Sequence, residues 1–177
     1  MKRNIQNVDD DIIRKKRLIE QALYSDEDII EALQNPDLDP SVPEDYVWNN
    51  IYPFLRIPGT QDISKNFITF TVDDMGRIPN NQAMKSQYVQ FVVFVHQDLV
   101  ETSYGMARHD LLGYLIRDIF NLSNKLGPQM ELVSNKEGIA DNNFYTRTLR
   151  FELIDDNSTK SFRTNSYEYD RIVGYRR

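Results

Sequence analysis

The chain has 177 residues, a single-domain length, with 40% hydrophobic and 11% aromatic residues, which is enough for a folded interior and excludes wholesale disorder. A net charge of −6 and a pI near 5.0 argue against a general nucleic-acid binder held by phosphate neutralisation. The absence of cysteine excludes disulfides and thiolate metal sites. No apolar run reaches membrane-spanning length, and residues 1–11 lack the apolar core of a signal peptide, so a soluble cytoplasmic product is expected.

In chain order, an aspartate near Asp11 can cap a helix carrying Ile12, Ile13, Leu18, Ile19, Ala22 and Leu23, with Lys15, Lys16 and Arg17 as its solvated face. Ser25 with Asp28 reads as a capping box before Ile29, Ile30 and Leu33. This second helix is expected to end by Asn35, because Pro36 disfavours helix at the preceding residue. Its amphipathic face fits either its own domain or a neighbouring subunit.

Prolines at 36, 40, 43, 53 and 58 mark an irregular connection with at most one helical turn around 44–50. That segment holds the only tryptophan, Trp48, together with Tyr46, Tyr52 and Phe54. Such aromatics either fasten the segment to the core or anchor a neighbouring subunit.

Residues 67–72 alternate as a half-buried strand, and 73–85 read as a loop in which Asp73-Asp74 form a turn. Residues 86–96 are apolar on both faces and need cover on both. From Tyr104 to Lys125 an apolar stripe of Leu111, Leu112, Leu115, Ile116, Ile119 and Phe120 predicts a helix of about 30 Å, preceded by the cap-type Thr102 and Ser103 and closed by Gly127-Pro128. It covers one side of the 86–96 strand; the N-terminal segments or another protein must cover the other.

A short strand over 129–134, a polar loop over 135–143 and a clear alternation over 144–154 follow, with Arg147 interrupting the apolar side. The fold class is therefore α+β: an antiparallel sheet of about four strands (β-β-α-β-β), one long helix packed on it, N-terminal helices and an extended C-terminal tail. The domain reading is an N-terminal helical arm over 1–44, an α+β core over 45–155 and a C-terminal extension over 156–177. The tail carries scattered aromatics and mixed charges, and it either lies on its own domain or is held by partners.

Reactive chemistry is sparse. Arg108-His109-Asp110 sit at adjacent helix positions, point in different directions and cannot form a relay among themselves; an ion-pair cluster or subunit contact is the plainer reading. Asp37 and Asp39 begin a calcium-loop spacing but lack its glycine and final glutamate. No phosphate-binding glycine loop is present. Catalytic residues, cofactors and metal ligands are all expected to be none.

The phrases Tyr-Gly-Met-Ala-Arg-His-Asp-Leu-Leu-Gly-Tyr-Leu-Ile-Arg-Asp-Ile-Phe-Asn (104–121) and Phe-Tyr-Thr-Arg-Thr-Leu-Arg-Phe-Glu (144–152), with Phe54–Gln61 and Ser25–Leu33, resemble neck and tail-completion proteins of tailed bacteriophages. The strand-strand-helix-strand-strand order is similar to tail terminators. The resemblance implies a structural virion protein and no enzyme: a homo-oligomer, a hexameric ring, contacting tail-tube and head-connector proteins while double-stranded DNA passes without specific binding and no membrane is involved. Head-completion adaptors are the neighbouring possibility, as is a binding module that forms no ring. Interface residues expected from exposed aromatics and arginines are Trp48, Tyr52, Arg108, Tyr167, Tyr169 and Arg171.

Overall fold

The computed structural model describes residues 10–57, 64–141 and 143–157. Tyr167, Tyr169 and Arg171, with the rest of the tail from 158 and residues 58–61 of the phage-like stretch, lie outside the described residues.

Helix α1 spans Asp11–Tyr24, its N-terminus capped by Asp10, whose carboxylate accepts from the Ile13 N–H at 3.0 Å. Helix α2 spans Glu27–Leu33. Its cap is Asp26 rather than Ser25, since Asp26 Oδ1 accepts from the Ile29 N–H at 3.0 Å. A single 3-10 turn at Pro43–Tyr46 follows.

The sheet has five strands in the order β1-β2-β3-β5-β4. These are β1 (Ile51–Tyr52), β2 (Phe67–Ile78), β3 (Asn81–His96), β4 (Met130–Asp141) and β5 (Phe144–Asp156). The four expected antiparallel strands are all present. The two-residue β1 is additional and pairs parallel to Ile68 and Thr69, which makes the sheet mixed; two residues carry no readable period.

The strands outrun their apolar patterns. Segments expected as loops over 73–85 and 135–143 are strand where described, over 73–78, 81–85 and 135–141, because cross-strand backbone hydrogen bonds continue where most side chains face solvent. Asp73 and Asp74 accordingly lie in β2, next to a bulge where Gly76 takes φ +95°. A left-handed φ of this kind suits glycine, which has no Cβ to clash.

Helix α3 spans Arg108–Phe120, about 20 Å rather than 30 Å. At its start, residues 101–107 close on themselves: Thr102 Oγ1 donates to the Met106 carbonyl at 2.6 Å, and Glu101 bridges to Ala107. At its end, β4 captures the backbone. Leu122 N–H donates to Met130 O at 2.7 Å, and Asn121 Oδ1 accepts from Leu132 N–H at 3.0 Å.

All three helices pack on one face of the sheet. Ile19, Leu23, Ile29, Leu33, Leu112 and Phe120 share one core with Phe70, Phe91 and Phe151. Phe91 stacks on Phe120 with centroids 5.0 Å apart and meets Phe151 edge-on at 5.7 Å. Each such buried side chain contributes roughly 1.5–3 kcal/mol. The N-terminal helices thus share a face with α3 and leave the other face of β3 to a smaller cluster of Tyr52, Phe67, Phe94 and Phe144.

Candidate interaction surfaces

Lys15 is not on a solvated face. It is fully buried, and its ammonium meets Asp11 at 2.8 Å, the Gln87 amide oxygen at 2.5 Å and the Asp155 carboxylate. Lys85 adds contacts to Asp11 at 3.1 Å and to Asp74 at 3.2 Å. A buried ammonium is tolerable only when carboxylates surround it. Burial raises the Asp11 carboxyl pKa, but hydrogen bonds from Lys15, Gln87 and Lys85 outweigh it and hold the group well below its ordinary value. Lysine ammonium groups sit among the three aspartates, so the cluster ties α1 to the ends of β2, β3 and β5.

Of residues 108–110, Arg108 turns away from the other two, while His109 Nε2 comes within 3.8 Å of Asp110 Oδ1, short of a hydrogen bond. Arg108, expected among exposed arginines, is 5% exposed and turned inward. Its guanidinium donates to three backbone carbonyls: Leu99 at 2.6 Å, Ala32 at 2.9 Å and Glu101 at 3.1 Å. Burial lowers its pKa. His109 stacks on Tyr145 with centroids 5.9 Å apart and faces Glu137 at 3.3 Å, while Asp110 pairs with Arg147 at 3.1 Å. The arrangement fastens the loop before α3, α2 and β5 around one helix end. No proton relay joins these three side chains.

Arg108 also closes the inner end of a groove of about 410 Å³ between α2 and α3. Leu111, Leu115 and Met106 form its apolar wall, and Asp28 and Glu31 its acidic rim. Tyr104 and Tyr114, both more than half exposed, flank it. The Glu31 carboxylate pushes the Tyr104 hydroxyl above its ordinary pKa through its charge and a 3.3 Å hydrogen bond. Composition alone gave no sign of this groove, since it forms only where α2 meets the 101–107 loop.

The aromatics of the proline-rich segment divide. Tyr46 and Tyr52 are buried, with the Tyr52 hydroxyl donating to Asn49 O at 2.7 Å and the Arg56 guanidinium 4.6 Å above the Tyr52 ring. Trp48 is 63% exposed and sits at φ +67°. Its ring lies 5.6 Å from Phe54, which lies 5.7 Å from Tyr52. Tyr52 in turn meets Phe67 at 5.9 Å, so an aromatic strip runs from an exposed indole onto the sheet face the helices do not cover.

These features define a two-layer α+β protein distinguished by surfaces: an acidic groove, an aromatic strip and long sheet edges. The family model of YomW matches residues 19–153, and the chain belongs to that family. Its name is typical of Bacillus phage-region proteins, which supports a phage-associated protein. No curated protein matches the chain.

Proposed function

We propose that this chain is a structural virion protein of a tailed phage, forming a ring at the head–tail neck that terminates the tail tube and joins it to the head. The observation that carries the reading is a pair of unlike open sheet edges. On one side, β1 pairs only with Ile68 and Thr69, leaving β2 from Phe70 to Ile78 without an outer partner strand among the described residues. On the other, β4 beyond Leu132 has no outer partner there either. Open edges are templates for pairing, and contacts between two different patches of one chain close into rings when the rotation permits.

The family membership supports a phage setting, and the net negative charge suits a wall past which DNA slides without sticking. The function is assembly, and no side chain is assigned catalysis. The groove between α2 and α3 favours a second reading, a module that binds one protein ligand without forming a ring.

Light scattering and negative-stain imaging of the chain, alone and with tail-tube and head-connector proteins, decide between them. Rings, or assembly dependent on those partners, support the neck reading. A chain that stays monomeric and ignores both partners overturns it, and a one-to-one complex selects the binding module.

A further inference from the structure

We propose that the α2–α3 groove is the seat for residues 171–177 of a neighbouring copy. The inference rests on the ring reading for the identity of the neighbour. The groove itself asks for a segment with cationic and apolar side chains, because Asp28 and Glu31 rim a wall of Met106, Leu111 and Leu115. The segment that supplies its α2 side is acidic: residues 25–55 contain eight acidic residues and no Lys, Arg or His.

Residues 171–177 supply the complement. Arg171, Arg176 and Arg177 stand among Ile172, Val173 and Tyr175 with no acid between them. Arginine matches carboxylates with planar, paired donors, and a tyrosine ring covers apolar surface at low entropy cost. A groove of about 410 Å³ is at the scale of a few side chains, not of the whole tail.

Direction argues for a neighbour's groove over the chain's own. The N-terminal end of α3, which lines the groove, lies beside Tyr145 and Val95, where β5 begins. β5 then runs away from it, and Asn157 N–H bonds Ala83 O at the far end of the sheet, roughly 40 Å along β3. Its own groove would require the chain to double back over that length. The linker of residues 158–170 reaches at most about 45 Å fully extended, so the chain's own groove would take nearly all of it, whereas a neighbour's groove beside the end of β5 would not.

The chain has no cysteine, so a full-length cross-link is clean. Ser103→Cys, at the groove, and Gly174→Cys, beside Tyr175, are prepared as separate full chains and mixed under mild oxidation, with Ser41→Cys as an exposed control. The expected result is a disulfide-linked heterodimer of the first two that forms several-fold faster than with Ser41→Cys. It slows several-fold with added Glu31→Lys, checked as folded by circular dichroism, and slows as salt rises. A rate no faster than the Ser41→Cys control overturns the proposal. Scattering on the same samples reads ring formation independently: rings without the cross-link overturn the docking and leave the ring reading standing.

Discussion

The side chain of Arg147 fills the space left by the missing side chain of Gly113. A Cβ on Gly113 would lie 2.8 Å from Arg147 Cγ, and the guanidinium beyond it reaches Asp110 at 3.1 Å. The arginine that interrupts the apolar face of β5 is thus the contact by which that strand grips α3. Gly113→Ala gains up to about 1 kcal/mol of helix propensity but must displace a methylene that the ion pair holds in place, which costs roughly 1–3 kcal/mol. Net destabilisation of about 1 kcal/mol is expected in urea unfolding, and Gly113→Ala with Arg147→Ala together should be more stable than Arg147→Ala alone. A stabilised Gly113→Ala single variant would show that the contact is slack.

Removing the Lys15 ammonium takes a counter-charge from the part-buried Asp155 and leaves the Gln87 amide oxygen short of a donor, while Asp11 keeps Lys85 and Arg14. Lys15→Met is expected to cost about 1–3 kcal/mol, measured as a fall in the urea midpoint. A loss below 1 kcal/mol, on the scale of an exposed ion pair, would mean that the ammonium is effectively solvated.

The same cluster sets an acid limit. The folded pKa of Asp11 is depressed below its ordinary 3.8, so its contribution is complete above that value and lost as pH falls through the lower folded pKa. Lys85 has the opposite sign. Burial lowers its pKa, but its hydrogen bonds to the Asp11 and Asp74 carboxylates raise it above its ordinary 10.5, and its contribution is present below that value and lost as pH rises through the folded pKa. Urea midpoints against pH should fall at both limits, and Asp11→Asn should flatten the acid limb. An unchanged acid limb in that variant would assign it to other groups.

Arg108 donates to three carbonyls, the Ala32 contact buried and the Leu99 and Glu101 contacts part-buried. Arg108→Ala should destabilise by roughly 1–3 kcal/mol, the penalty for a buried group left unsatisfied. Arg108→Lys should recover only part, since a compact ammonium lacks the planar fork. Full recovery in thermal unfolding would reduce the site to a point charge.

Trp48 carries an uncommon backbone for a large residue. Replacing it with glycine removes a left-handed strain of about 1–2 kcal/mol while losing a side chain that is mostly in solvent. Trp48→Gly is therefore expected to leave the isolated chain as stable as before or slightly more so, yet to weaken assembly. Because Trp48 is the only tryptophan, its emission should shift to the blue when partners cover it. Unchanged emission on assembly would remove the indole from the interface.

By itself the sequence determined the apolar centres of the main strands and of α3. Period-two alternation over 67–72 and 144–154 and the apolar stripe of 111–120 are local signals, and each became the strand or helix it predicts. The tertiary structure decided which charges are buried. Lys15 reads as one cation in a basic run until Gln87 and Asp155, distant in sequence, close around it. Arg108 reads as exposed until the carbonyls of Ala32 and Leu99 arrive. The seating of all three helices on one face, the open sheet edges and the outward Trp48 likewise have no local signature. Periodicity records which side of an element avoids water, whereas the place of a charge depends on partners that only the folded chain brings within hydrogen-bond distance.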